Sequence, residues 1–189
     1  MTAVESQMLA LGTRAPHFSL PDADNTLHAL ADDASAYLIM FICNHCPFVK
    51  HVREELARLG RDYGAKNVAI YAINSNDTTR YPDDGPEYMR KEARTWGYTF
   101  PYLIDSEQTV AKSYFAACTP DFYVFDRDKL LVYRGQLDDS RPSNDVPVDG
   151  RDLRAALDAV LAGQPVSERQ IPSIGCSIKW TAGNKPDYL

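Results

Sequence analysis

Phe-Ile-Cys-Asn-His-Cys-Pro-Phe, residues 41–48, joins an apolar run at 37–42 to a helical pattern that begins near Cys46. The first turn of a helix presents unpaired N–H groups and the positive end of the helix dipole. A thiolate at this point is stabilised, so its pKa falls and it becomes a nucleophile near neutral pH. Because a second thiol one turn away can resolve a mixed disulfide, Cys43 and Cys46 together predict a redox-active C-x-x-C pair.

The residues on either side of this motif predict a βαβ unit. Residues 37–42 and 67–73 are continuous apolar runs, which are typical of strands buried on both faces. The segment between them has apolar side chains at helical spacing, namely Phe48, Val52, Leu56 and Leu59. A polar, turn-rich loop at 74–86 follows the second strand, at the sheet edge where open α/β proteins place ligand sites. A solvated connection is an equally good interpretation of this loop.

The remaining elements complete an α/β pattern. A turn cluster at 21–25 predicts a hairpin near the N-terminus. The sequence Asp-Ser-Glu-Gln at 105–108 resembles a capping box and opens a helix that we expect to run through Phe115. The other patterns predict strands at 121–125 and 130–133 and helices over 89–96 and 153–161.

Length and composition indicate one globular domain with extensions. The 189 residues suffice for a sizeable core, and 44% hydrophobic with 24% charged residues is ordinary for a globular protein. We expect a lead-in at 1–11, a single domain at 12–165, and a tail at 166–189 that packs on the domain. The tail shows no clear periodicity, so no element is predicted in it.

Charge and hydropathy exclude several classes of function. The net charge is −6 and no basic run is present, so a nucleic-acid surface is not expected. No apolar run approaches the length of a membrane span. The first residues carry Glu5 and lack a basic region followed by a long apolar run, so we expect no secretory signal and a cytoplasmic protein. Four cysteines, two of them in C-x-x-C, suit a catalytic pair better than a disulfide scaffold.

Three short motifs carry a resemblance to the thioredoxin-like superfamily. They are Gly12-x-x-Ala15-Pro16-x-Phe18, Cys43-Asn-His-Cys46-Pro47 and Thr119-Pro120-Asp-Phe122. The chain is most similar to the redoxin branch, which contains alkyl hydroperoxide reductase/thiol-specific antioxidant (AhpC/TSA) proteins and membrane-anchored thiol–disulfide oxidoreductases of cytochrome maturation. The resemblance covers roughly residues 10–165. It implies a thioredoxin-like α/β fold, with a central mixed sheet flanked by helices and an N-terminal β-hairpin extension.

The resemblance also implies roles for individual residues. Cys43 would be the exposed nucleophile and Cys46 the buried resolving thiol. Thr119 and Pro120 would form the loop that faces the motif, with the proline cis. The main chain of Thr119 would then be free to pair with an extended thiol partner.

The residues within the motif are expected to shape the site. Pro47 falls in the first helical turn, where its missing N–H costs nothing. Asn44 and His45 lie between the two thiols, and an imidazolium at His45 would favour the thiolate and make the disulfide more oxidising. The alternative is that His45 is solvated and does not affect the thiols.

The sequence departs from the family in three places. Ile42 stands where a Trp usually precedes the first cysteine, and residues 37–42 hold no buried acid to accept the proton of the resolving thiol. The peroxiredoxin pattern Pro-x-x-x-Thr-x-x-Cys is also incomplete. If Cys46 took the peroxidatic place, Thr would fall at Cys43 and Pro at Ile39, and neither matches.

Two further cysteines are candidates for extra redox thiols. Cys118 lies two residues before Pro120, so it is either near the site or a small buried apolar residue. Cys176 could fold back over the site and exchange with Cys43 or Cys118, or it could be structural. We expect no metal and no cofactor, because a zinc set drawn from the two motif cysteines with His45 and His51 would have its groups pointing apart on a helix.

The sequence therefore predicts a thiol–disulfide oxidoreductase that uses its C-x-x-C pair on a protein or small-molecule disulfide or thiol. One alternative is a peroxiredoxin-like thiol peroxidase with Cys46 as the peroxidatic cysteine and peroxide as substrate. A second alternative is a non-catalytic binding module on the same fold. The direction of exchange, the reductant and self-association are left open by the sequence.

Overall fold

A five-stranded mixed sheet forms the centre of the protein, which the computed structural model describes over residues 3–189. The strands in chain order are β1 (Ala3–Glu5), β2 (Ser19–Pro21), β3 (Leu27–Ala29), β4 (Ala36–Phe41), β5 (Val68–Asn74), β6 (Tyr102–Ile104), β7 (Cys118–Thr119), β8 (Asp121–Phe125), β9 (Leu131–Gly135) and β10 (Ile174–Ser177). The helices are α1 (Pro47–Gly64), α2 (Pro86–Trp96), α3 (Thr109–Ser113) and α4 (Arg151–Leu161), and a 3₁₀ turn spans Pro82–Asp84.

The order of strands in the central sheet is β6-β5-β4-β8-β9. β4, β5 and β6 are parallel, whereas β8 is antiparallel to both β4 and β9. α1 makes the crossover between β4 and β5, as the βαβ prediction requires. β2 and β3 form the predicted N-terminal hairpin. The predicted central mixed sheet flanked by helices is therefore confirmed.

The sheet separates two hydrophobic cores. Successive residues of a strand point to opposite faces, so β4 contributes to both. Leu38 and Met40 pack in the core that contains the buried faces of α1 and α4. Ile39 and Phe41 pack in the other core, together with α3. Every residue of β4 is buried, which is why this stretch of the sequence is apolar at each position.

Most predicted boundaries shift by a few residues, and two of these shifts have a clear local reason. β5 begins at Val68 and not at 67, because Asn67 has a left-handed backbone with φ 58°. α3 is shorter than the predicted helix over 105–115. The Asp105 carboxylate accepts the N–H groups of Val110 and Ala111, so it lies ahead of the helix, and Phe115, with φ 54°, lies beyond its end.

A second sheet of order β1-β10-β7 joins both ends of the described chain to the centre of the protein. The sequence predicts no strand at Ala3–Glu5 or Ile174–Ser177, and both are present. The approach of β10 to β7 depends on Gly175, since a Cβ at this residue would lie 2.0 Å from the Thr119 carbonyl oxygen. No helix within residues 3–189 is both long enough and apolar enough to span a bilayer.

Replacing Gly175 tests how tightly β10 covers β7. In Gly175→Ala we expect the added Cβ to push the two strands apart, because overpacking of this kind costs about 1–3 kcal/mol. Iodoacetamide should then alkylate the thiols beneath β10 about tenfold faster or more, since about 1.4 kcal/mol corresponds to a factor of ten. Gly64→Ala is the matched control, because a Cβ there meets nothing within 4 Å. Equal rates in the two variants would contradict the covering role of β10.

Candidate active site

The C-x-x-C motif lies where β4 ends and α1 begins. Cys46 is the N-cap residue of α1, with an extended backbone at φ −67° and ψ 124°. Pro47 occupies the first turn, as predicted, and its missing N–H leaves no donor unsatisfied. The Cys46 sulfur therefore lies at the positive end of an 18-residue helix.

The loop opposite the motif is the predicted one. The Thr119–Pro120 peptide bond is cis. The Cys43 sulfur lies 3.3 Å from the Thr119 hydroxyl oxygen, and the Cys46 thiol can donate to the Thr119 carbonyl over 3.2 Å. Side chain and main chain of one residue thus contact both thiols of the motif.

Both thiols of the motif are buried, so the expectation that Cys43 is exposed is wrong. Cys43 is 1% exposed and Cys46 is 0% exposed. The cause is what packs around the motif. Thr119 contacts both sulfurs, and the Tyr102 hydroxyl donates to the Asn44 side-chain oxygen at 3.0 Å. Asn44 in turn donates to the carbonyl of Asp83, which ties the motif to the loop after β5.

Cys176 is the third thiol of the site. Its residue pairs directly with Thr119 in the antiparallel register of β10 and β7. Its sulfur lies 2.8 Å from the Cys46 sulfur, and its side chain is 2% exposed. The tail therefore folds back over the site, but it meets Cys46 instead of Cys43 or Cys118. The main chain of Thr119, which was expected to be free for a partner, is paired with the protein's own C-terminal strand.

Cys118 stays outside this group of thiols. It precedes Thr119 in β7, so its side chain points to the opposite face. Its thiol donates weakly to the Pro120 carbonyl at 3.6 Å. Burial raises the pKa of Cys118 well above that of a free thiol, with a further contribution from the charge of Asp121. Of the two interpretations of Cys118, its position therefore favours a small buried residue over an extra redox thiol.

The two motif thiols differ in the direction of their pKa shifts. Hydrogen bonds from the thiols of Cys176 and Cys43 lower the pKa of Cys46 far below its ordinary value, and the N–H of Val49 adds to this against the effect of burial. The pKa of Cys43 is instead raised, first by burial, then by its hydrogen bond to Cys46 and by the charge of Asp84. Cys46 is therefore the more acidic of the two motif thiols.

Asp84 is the site residue that the sequence did not reveal. It is fully buried, and one carboxylate oxygen accepts the N–H groups of Asn44 and His45 at 2.8 and 3.1 Å. The other oxygen accepts from the His45 ring at 2.5 Å and from the Asn76 amide at 2.8 Å. Although burial opposes it, these hydrogen bonds lower the pKa of Asp84. The only signal was its position in the polar loop after β5, which also holds Asp77 and Asp83.

His45 is held in place and is not solvated. Its ring stacks on Tyr81 with centroids 5.1 Å apart, and its Nδ1 donates to Asp84. Its Nε2 is buried, and no group within residues 3–189 hydrogen-bonds to it. His45 thus fixes the loop between the two thiols.

The ligand atoms of Cys43, His45 and Asp84 lie within 4.8 Å of one another, so we tested this group as a metal site. Two ligand atoms of a tetrahedral zinc are about 3.4 Å apart, given bonds of about 2.0–2.2 Å. The nitrogen of His45 and the oxygen of Asp84 are 2.5 Å apart, which is a hydrogen bond. The group as built is a hydrogen-bonded network, and its spacing does not fit zinc.

A buried acid does lie near the motif, although on a different strand from the one expected. Asp121 follows Pro120 directly, is fully buried, and accepts hydrogen bonds from Ser6 and Tyr123 at 2.9 and 3.0 Å. Burial raises the pKa of Asp121 to about 7. It pairs with Phe41, whose side chain belongs to the core on the face away from α1. Asp121 therefore lies on the same side as Cys118 and not beside Cys46.

Replacing Cys176 tests the origin of the Cys46 thiolate. In reduced Cys176→Ala we expect the first thiolate, followed by its ultraviolet absorbance, to form at higher pH, closer to the value of about 8.5 for a free thiol. The reason is that the strongest cause of the lowered Cys46 pKa has been removed. Cys176→Ser keeps a donor and should move the midpoint less, and Cys118→Ser should leave it in place. An unchanged midpoint in Cys176→Ala would contradict this explanation.

Comparison with known proteins places the chain in a family. The AhpC/TSA family model matches residues 11–134. An uncharacterized conserved protein from Geobacillus kaustophilus, known from a crystal structure, has 60% sequence identity to this chain. The match covers 97% of this chain and 98% of that chain, with a TM-score of 0.94. A hypothetical protein from Sinorhizobium meliloti 1021 is 53% identical, with coverages of 95% and 99% and a TM-score of 0.93.

More distant structures share the fold alone. A thiol:disulfide interchange protein of the thioredoxin family from Chlorobium tepidum TLS is 16% identical, with 80% of this chain and 98% of that chain covered and a TM-score of 0.62. No curated protein matches the chain. The predicted thioredoxin-like fold is confirmed by these comparisons. The family match at residues 11–134 spans more than half of this chain, so the chain belongs to the AhpC/TSA family.

Proposed function

We propose that this protein is a thiol–disulfide oxidoreductase whose redox pair is Cys43 and Cys46. The observation that carries the proposal is the Cys46 sulfur, which lies at the start of α1 and is hydrogen-bonded by neighbouring thiols across from the cis Thr119–Pro120 bond. This environment stabilises a thiolate, which is the reactive form in disulfide exchange. Membership of the AhpC/TSA family supports the same chemistry.

The position of Cys46 at the start of α1, together with the direction of the two pKa shifts, favours Cys46 as the attacking thiol. The Cys46 thiolate attacks one sulfur of a partner disulfide, the partner S–S bond breaks, and one partner sulfur leaves as a thiolate. Cys43 then attacks the Cys46 sulfur of the mixed disulfide and releases the second partner sulfur. The proton of Cys43 passes to one departing thiolate, so the products are a Cys43–Cys46 disulfide, one partner thiol and one partner thiolate, which takes its proton from water. This order is the reverse of the one that the resemblance implied.

The electrostatics of the site favour the second step after the first has occurred. The charge on Cys46 and its hydrogen bond to Cys43 contribute to the raised pKa of Cys43. Both contributions end when Cys46 enters a mixed disulfide, because its sulfur no longer carries a charge. The Thr119 hydroxyl, 3.3 Å from the Cys43 sulfur, favours the Cys43 thiolate. Cys43 therefore becomes easier to ionise at the moment when it has to attack.

Access to the pair requires β10 to move. Cys43 and Cys46 are buried, and β10 pairs with the strand edge at Thr119 that a partner strand would need. A partner strand that displaced β10 would pair with the same main-chain groups and present its sulfur where Cys176 now lies. Proteins and small disulfides that reach this edge are the substrate class that we propose.

Replacing one motif cysteine at a time tests the exchange reaction. In a Cys176→Ser background, which leaves Cys46 no second thiol to pair with, we expect Cys43→Ser and Cys46→Ser each to lower reductant-dependent turnover of insulin or an aromatic disulfide by about a hundredfold or more. The reason is that each variant lacks one half of the pair. Cys118→Ser should keep its turnover. Undiminished turnover in both motif variants would remove the proposal.

The order of attack has its own test. In a Cys176→Ser background, we expect Cys43→Ser to accumulate a mixed disulfide with an aromatic disulfide reagent on Cys46. Cys46→Ser in the same background should accumulate little, since the remaining Cys43 has a raised pKa. Mass spectrometry of the intact variants gives the adduct directly, and an adduct on the second variant alone would restore Cys43 as the attacking thiol.

A peroxidase is the second candidate function, favoured by the position of Cys46 at the start of α1, where the helix dipole and neighbouring donors lower its pKa. The Cys46 thiolate would attack a peroxide oxygen, the O–O bond would break to leave an alcohol or water, and Cys46 would become a sulfenic acid. Attack by Cys43 would then form the disulfide and release water. Hydrogen peroxide consumption that survives Cys43→Ser, with an external thiol supplied, but ends with Cys46→Ala would select this function.

A further inference from the structure

We propose that Cys176 is a third redox-active thiol, which takes the disulfide over from the Cys43–Cys46 pair to form a Cys46–Cys176 bond. The inference rests on the proposed function, because it needs the Cys43–Cys46 disulfide as its starting point. It adds a site that belongs to the C-terminal strand and gives that strand a part in the chemistry.

The geometry brings two separately anchored sulfurs together. Cys46 is fixed at the start of α1, and Cys176 is fixed by pairing with Thr119 on one side and with Ala3 on the other. Their sulfurs are 2.8 Å apart, and both side chains are buried. A disulfide bond is about 2.05 Å long, so only a small closing movement separates the contact from a bond.

The neighbouring charges favour the transfer once the motif is oxidised. In the reduced protein, the hydrogen bond from Cys176 to Cys46 is the largest cause of the raised pKa of Cys176, and burial adds to it. A Cys46 sulfur that is bonded to Cys43 has no charge to accept this hydrogen bond. The nearby Lys179 ammonium, which opposes the rise, remains in place. Cys176 is therefore most readily ionised when its neighbour is a disulfide sulfur.

The transfer is balanced within the chain. The Cys176 thiolate attacks the Cys46 sulfur, a new S–S bond forms, and the Cys43–Cys46 bond breaks with its electron pair remaining on Cys43. The proton lost by Cys176 ends on Cys43, whose sulfur has the Thr119 hydroxyl beside it. One disulfide is consumed and one is formed, so no oxidant or reductant is required.

The transfer would change how the site is covered. A Cys46–Cys176 bond ties β10 covalently to the start of α1, over the edge of Thr119 that a partner strand needs. The oxidised protein would then be closed to disulfide partners, and reduction of this bond would be the step that allows β10 to move. Cys118 provides a natural comparison, because it is also buried in β7 but makes no hydrogen bond to another thiol within residues 3–189.

Peptide mapping of the oxidised protein tests the proposal, because trypsin places the motif cysteines, Cys118 and Cys176 in three different peptides. Cys43 and Cys46 share the peptide 15–50, Cys118 lies in 113–127, and Cys176 lies in 170–179. The full-length protein is equilibrated with glutathione and glutathione disulfide at a series of ratios and quenched in acid. Free thiols are then alkylated, and the monomer is digested and analysed without reduction. We expect 15–50 to be cross-linked to 170–179.

The variants locate the sulfur that carries the cross-link. In Cys43→Ser, a glutathione adduct on Cys46 takes the place of the Cys43–Cys46 disulfide as the bond that Cys176 attacks, so the link between 15–50 and 170–179 should be retained in most molecules. Cys46→Ser should lose the link, and Cys118→Ser should match the wild type. A link that persists in Cys46→Ser, or one that joins 170–179 to 113–127, would overturn the assignment to Cys46.

The wild-type measurement separates the two proposals without any variant. A disulfide confined within 15–50, with 170–179 fully alkylated at every ratio, would overturn the role of Cys176 and leave the Cys43–Cys46 exchange intact. No disulfide on 15–50 at any ratio would overturn the proposed function itself.

Discussion

The hydrogen bonding of a single buried sulfur, that of Cys46, is the interaction on which the site depends. Donors reach it from α1, from the neighbouring Cys43 and from Cys176 in β10, and together they outweigh the cost of burying a charge. These donors come from segments that are far apart in the sequence. The lowered pKa of Cys46 is therefore a product of the tertiary structure, since the helix terminus supplies only part of the stabilisation.

A buried carboxylate holds the other side of the motif. Asp84 would be costly without partners, but it accepts two main-chain N–H groups, the His45 ring and the Asn76 amide. These contacts hold the polar loop after β5 in place beside Cys43. Burial is the largest cause of the raised pKa of Cys43, and the charge of Asp84 adds to it.

The parts of the fold that follow local periodicity could be predicted from the sequence. β4 is apolar at each position because both of its faces are buried, and α1 carries an apolar stripe after Pro47. β10 could not be found in this way. It has four residues, includes a glycine, and pairs with β7 more than fifty residues earlier in the chain. The position of Cys176 depends on that pairing and was missed with it.

The chemistry of the thiols shows a second limit of the sequence. The motif and the cis proline were anticipated from the resemblance, whereas the pKa values of Cys43 and Cys46 depend on burial and on the hydrogen bonds that each sulfur receives. Asp84 was equally hidden, because the polar loop also contains Asp77 and Asp83 and no spacing distinguishes one acid from another. Burial and long-range contacts decide these properties, and neither is encoded in a short motif.

The β1-β10-β7 sheet has a consequence for how the protein is made. Synthesis proceeds from the N-terminus, so β10, which covers the C-x-x-C motif, leaves the ribosome after every strand of the central sheet. Until residues 174–177 emerge, Cys43 and Cys46 would not be covered by β10, even in a nascent domain whose central sheet has already formed. The newly made protein therefore passes through an interval in which its thiols meet the surrounding redox buffer before the finished fold closes over them.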